Sequence, residues 1–164
     1  MKFASLNDIR QSGFEGFLAI SALQTSKCRE VPDMRGVYLV LRPDYTRADF
    51  LPESTGGHFK EKNPTVPVKC LESRWVENAL VLYIGKAGPG TATLKSRLKT
   101  YVQFGQRKRV AHWGGRYIWQ LRHSRDLLLC WKVTADTLPR TEERRLIQEF
   151  KAVYADPPFA NLKH

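Results

Sequence analysis

The chain has 164 residues, 42% of them hydrophobic, with 27 lysines and arginines against 16 acidic residues, for a net charge of +11; that suits one domain with a single core. With no apolar run of membrane-spanning length, and no signal-like stretch in "MKFASLNDIRQSG", a soluble, cytoplasmic protein is expected. Cys28, Cys70 and Cys130 are odd in number and far apart, and His58, His112, His123 and His164 form no ligand cluster, so the cysteines read as free thiols and the histidines as surface or packing residues.

In chain order, residues 1–34 form an N-terminal extension whose apolar "FEGFLAISAL" predicts one amphipathic helix packed on the core. "GVYLVL", residues 36–41, is rich in β-branched and aromatic side chains and predicts a buried strand. Residues 43–76 concentrate Pro, Gly and charge without a period, so they read as an excursion from the core, an insertion. "ALVLYIG", residues 79–85, predicts a second strand that stops sharply at Gly85 and throws Tyr83 and Lys86 onto the sheet's rim.

"TATLKSRLKTYV" follows, with Leu94, Leu98, Tyr101 and Val102 on one helical face and Thr91 or Thr93 as the cap. Arg97 and Tyr101, four apart, are neighbours on that helix. "LLLCWKV", residues 127–133, predicts a third strand, and "RYIWQL", residues 116–121, a less regular fourth. The last helix is predicted to be capped by Thr141, with Glu142 and Glu143 in its first turn, an apolar stripe of Leu146, Ile147, Phe150, Val153 and Tyr154, and a stop at Asp156-Pro157-Pro158.

The charge is unevenly placed. No acidic residue occurs between Asn78 and Arg125, whereas ten basic ones do, interleaved with Tyr83, Tyr101, Phe104, Trp113, Tyr117 and Trp119. Lysines and arginines along a phosphate chain release condensed counterions, and aromatic faces stack on bases, so a nucleic acid is the expected partner. Lys95, Lys99, Arg107, Lys108, Arg109 and Arg116 are its candidate contacts. A merely solubilising face, the plainer reading, normally mixes both signs.

Tyr38 in "GVY", Tyr83 in "YIG", Lys86, Arg97 and Tyr101 in "RLKTY", Glu143 four residues before Ile147, and Asn161 in "PFAN" occur in an order that resembles the GIY-YIG nuclease superfamily, over roughly residues 35–164. The resemblance implies an α/β (α+β) fold: a central three-stranded antiparallel sheet flanked by helices, here with the insertion between the first two strands. It also implies hydrolysis of phosphodiester bonds, usually in DNA, with one divalent ion, Mg²⁺ or Mn²⁺. In that scheme Tyr38 takes the proton of the attacking water, its phenolate stabilised by Lys86, since a phenol titrates near 10. Arg97 holds the scissile phosphate, Tyr83 and Tyr101 donate hydrogen bonds, Glu143 binds the metal, and Asn161 orients Glu143 or a metal-bound water. The spacing departs from the family's short hairpin, since 44 residues separate Tyr38 from Tyr83. A nucleic-acid-binding module on an inactive scaffold is the rival expectation, and RNA is a less expected substrate than DNA.

Overall fold

The computed structural model of the chain describes residues 1–45 and 47–162; His164, and Thr46 within the excursion, lie outside the described residues. Its centre is an antiparallel sheet in the order β1-β4-β2-β3, built from β1 (Glu15–Ala19), β2 (Gly36–Leu41), β3 (Val81–Ala87) and β4 (Leu128–Val133). Every residue of β2 is buried, because this strand is sandwiched between two partners and covered on both faces. That is why its sequence is continuously apolar instead of alternating.

One face of the sheet, carrying Tyr38, Val40, Tyr83, Leu129 and Trp131, meets α2 (Ile20–Ser26) and α4 (Leu94–Phe104). The other, carrying Val37, Leu39, Ile84 and Cys130, meets α1 (Leu6–Gln11) and α5 (Pro139–Tyr154). The edge strand β3 is therefore flanked by α4 on one side and α5 on the other. Its outer edge is covered by the chain's last described segment, where Ala160 N–H donates to the Leu82 carbonyl at 2.9 Å. No helix among the described residues is long and apolar enough to cross a membrane.

The sheet has four strands, not three, and the fourth is not the expected one. "FEGFLAISAL" is split: Glu15–Ala19 pairs with β4, and the helix begins only at Ile20. An uncovered β4 edge would leave a row of unpaired backbone groups, and β1 occupies it. Residues 116–120, expected as a strand, instead form a 3₁₀ turn led by Gly115 at φ +71°, with only Leu121 bridging to Phe50. A short apolar run buried on all sides reads alike in either state.

α4 starts where expected, and Thr93 completes a capping box with Ser96. α5 starts two residues before Thr141, because Pro139 supplies a ready-made helical φ at the first position; Glu142 stays in the first turn and Glu143 falls in the second. The described part of the excursion is mostly irregular, with a 3₁₀ turn at Phe59–Glu61 and a short helix, α3 (Val68–Glu72). It is tied to the core. Gln120 donates to the carbonyls of Leu51 and Val66, and Phe50 and Trp75 pack around Phe159.

Candidate active site

β3 does not stop at Gly85. It runs on to Ala87, and the turn comes at Gly88-Pro89-Gly90. Gly85 is needed for another reason: it pairs with Tyr38 across the β2–β3 ladder, and a Cβ there would lie 2.4 Å from the Tyr38 ring. The tyrosine lies over the glycine. Tyr83 and Gly85 share one face of the sheet, while Lys86, paired with Val37, points to the other.

Three phenols gather on the α4 face. The rings of Tyr38, Tyr83 and Tyr101 are mutually 6.0–6.1 Å apart. Tyr101 donates to the Gly115 carbonyl at 3.3 Å and packs on Trp119 and on the buried His112 ring at 4.6 Å. Burial raises the pKa of all three phenols above the usual 10; the Arg97 guanidinium opposes the rise at Tyr38 and Tyr83. Burial and the same guanidinium hold the His112 imidazole well below 6.5, so it is neutral.

These placements correct two expectations. Tyr38, read as the group facing water, is fully buried, lines neither of the two cavities described below, and its hydroxyl has no hydrogen bond of good geometry among the described residues. Tyr83 is the phenol that lines the open space. Nor does Lys86 serve Tyr38: it is ion-paired with Glu143 on the α5 side, and Arg97 is the cation beside the phenols.

Around the rim of β3 the two faces meet. A cavity of about 340 Å³ is lined by Tyr83, Lys86, Gly88, Pro89, Ala92, Arg97 and Glu143. Strand β3 supplies the phenol and the ammonium, α4 the guanidinium, and α5 the carboxylate. Arg97 is half-buried, has no ion-pair partner among the described residues, and its Nε makes no hydrogen bond. A cation so placed is poised for an anion. Of the three acidic residues on α5, Glu143 alone lines this space; Glu142 is held by Arg145 and Lys132, and Glu149 by Arg145 and the N-terminus.

Asn161 also departs from expectation. Its Oδ1 accepts from the Ile84 N–H at 2.9 Å and its Nδ2 donates to the Ile84 carbonyl at 2.8 Å. The side chain thus acts as a short pseudo-strand on the edge of β3, holding the strand rather than orienting Glu143 or a water.

Beside the small cavity lies a larger cleft of about 790 Å³ that shares Tyr83, Lys86, Pro89 and Glu143 with it. Of the six basic residues expected to contact nucleic acid, only Arg116 lines this cleft. Lys95 and Lys99 lie on α4, and Arg107, Lys108 and Arg109 are exposed just beyond its C-terminus, tied to the excursion through Arg107 N–H to Thr55. Sequence reasoning missed Arg35, Arg140 and Arg144, which also line the cleft. A signal was there: Arg140, Glu143, Arg144 and Ile147 are spaced to share one face of α5.

Comparison with protein-family models, with curated proteins and with solved structures finds no match in any of the three.

Proposed function

We propose that this chain is a metal-dependent endonuclease of the GIY-YIG type, a cytoplasmic enzyme that hydrolyses phosphodiester bonds in DNA. One observation carries the reading: Arg97, which has no ion-pair partner among the described residues, shares a single small cavity with Glu143, Lys86 and Tyr83. A phosphodiester there would meet a fixed positive charge, a carboxylate and a phenol at once, which is what transfer of a phosphoryl group to water requires.

Among the described residues no three His, Cys, Asp or Glu side chains gather. The cavity offers one carboxylate, which fits Mg²⁺ or Mn²⁺ if the ion keeps most of its waters and takes further oxygens from the phosphate. Glu143 would hold it. When bound, the ion would supply Lewis-acid neutralisation and a water of lowered pKa.

The rest falls to the chain's own groups. Arg97 grips the non-bridging oxygens. Tyr83, protonated at neutral pH, donates a hydrogen bond to the phosphate and takes no proton. As water attacks phosphorus its proton passes to bulk solvent, and Lys86, released from Glu143, lies in the same cavity to give a proton to the departing oxygen as the P–O bond breaks. Tyr38 and Tyr101 pack behind Tyr83 and fix its ring.

A purified sample incubated with plasmid and Mg²⁺ tests this. Nicking or cutting is expected, with Arg97→Ala and Glu143→Gln each reducing the rate at least a hundredfold while circular dichroism is unchanged; undiminished cleavage by both variants overturns the proposal. The rival reading, a nucleic-acid-binding module without catalysis, is favoured by the Lys86 ammonium already neutralising Glu143. It predicts salt-sensitive DNA binding and no cleavage with any divalent ion.

A further inference from the structure

The 790 Å³ cleft is far larger than one phosphate needs and falls within the size range of pockets that enclose organic ligands. Its charge is one-sided. Arg35, Lys86, Arg116, Arg140 and Arg144 line it, against the single carboxylate of Glu143, which Lys86 already pairs. Much of the rest of its lining is apolar, with Trp113, Leu138, Ile147 and Leu162 beside Tyr83 and Asn161. Trp113 is 36% exposed and Leu138 64%, and both turn that apolar surface toward the cleft.

The loop bearing Trp113 is held firmly. Gly114 and Gly115 lie so close to Tyr83 that a Cβ at either would approach its ring or hydroxyl to 2.8 Å. The Arg116 guanidinium stacks on the Trp113 ring at 4.6 Å and on Tyr117 at 5.1 Å. It is half-buried, its Nε makes no hydrogen bond, and it has no ion-pair partner among the described residues. A cation desolvated on aromatic rings without a counter-ion is a second anion site beside the first.

The geometry points to a nucleotide subsite: the cleft takes an unpaired nucleotide next to the phosphate held by Arg97, its base against Trp113 and the apolar wall and its own phosphates on Arg116, Arg140 and Arg144. A paired base presents only its edge to such a wall, whereas a splayed one presents a face. The preferred substrate is therefore DNA that is frayed, gapped or branched at the cleavage point. This rests on the phosphodiester reading above and specifies its substrate class.

The test is binding in EDTA, where no cleavage occurs. Fluorescein-labelled duplexes of equal length, fully paired or carrying a four-nucleotide single-stranded flap, are titrated with wild type, Trp113→Ala and Arg140→Ala/Arg144→Ala. Wild type is expected to bind the flap duplex about tenfold more tightly. Trp113→Ala should bind both alike, and 2-aminopurine in the flap should lose its quenching on that substitution. The double arginine variant, altered only at exposed positions, should bind flap DNA more weakly and with a shallower salt dependence. Equal binding of both duplexes by wild type, or an undiminished flap preference in Trp113→Ala, overturns the subsite. Flap preference without cleavage in Mg²⁺ would sink the enzyme but leave the subsite standing, and cleavage without flap preference would do the reverse.

Discussion

Gly85 and Tyr38 are cross-strand partners, and the phenol ring of one lies where the side chain of the other would begin. Gly85→Ala must therefore push the ring of a fully buried tyrosine or spread two central strands. Overpacking of this kind costs about 1–3 kcal/mol, a fall of several degrees in Tm for a chain of this size. Because Tyr38 packs behind Tyr83, activity should fall as well. Shortening the partner relieves the clash, so Gly85→Ala/Tyr38→Leu should be less destabilised than the sum of its single changes in urea unfolding; strict additivity would show that the two sites do not touch.

Asn161 is the next test, because its side chain can be read in two ways that leave different traces. As a prop for Ile84 it satisfies one buried N–H and one buried carbonyl on the edge of β3, at a site only 5% exposed. Asn161→Ala strands both groups, at about 1–3 kcal/mol each. A clear drop in stability with and without Mg²⁺ is expected. A residue that only oriented a metal-bound water would leave thermal unfolding unchanged and affect cleavage alone.

The central sheet was legible wherever burial dominates the local sequence. Gly36–Leu41 is a strand to the residue, because a strand covered on both faces has no polar position to confuse its limits. The Arg97–Tyr101 helix was equally plain, from its four-residue apolar spacing and the Thr93 cap. What failed depended on distant partners. Nothing within Glu15–Ala19 announces that β4 has a free edge, and nothing within residues 116–120 says that Gly115 will coil the chain. At the site, residue types were readable but directions were not. Lys86 and Tyr83 are three apart on one strand, hence on opposite faces, so the lysine belongs to Glu143 and the phenols belong to Arg97.

Stability at low pH should track Glu142. Its carboxylate is nearly buried and accepts from Arg145 Nε and Nη2 at 2.8 Å each, with Lys132 Nζ at 3.5 Å. The Arg145 hydrogen bonds, outweighing the effect of burial, hold its pKa below the ordinary 4.5. Between the folded and unfolded values the unfolded chain binds more protons, so this stabilisation is complete above about pH 4.5 and disappears as pH falls through the lower, folded value. Glu149, lowered by the N-terminal ammonium and Arg145, acts in the same direction. In denaturant titrations Glu142→Gln should be less stable than wild type at pH 7, with the gap narrowing steadily as the pH is lowered from 4.5. A gap that does not narrow as the pH falls would place the loss in packing instead.

Tyr38 and Tyr83 separate the catalytic assignments most sharply. The Tyr38 hydroxyl has no hydrogen bond of good geometry among the described residues and lines neither the small cavity nor the cleft, so Tyr38→Phe removes a buried polar atom and should leave stability unchanged or slightly raised. If Tyr38 only backs Tyr83, its cleavage rate should fall less than tenfold. Tyr83 lines both the cavity and the cleft, so Tyr83→Phe removes a hydrogen bond at the reacting phosphate and should slow cleavage about a hundredfold. Both phenols titrate above 10, with Tyr83 well above it, so neither is ionised to a useful extent at pH 7 and the wild-type rate should show no inflection from a tyrosine between pH 6 and 9. Initial rates of plasmid nicking by the two variants across that range decide the matter. Complete loss in Tyr38→Phe, with folding intact and Tyr83→Phe still active, would return the proton-accepting role to Tyr38 and require the strands to part enough to let water reach it.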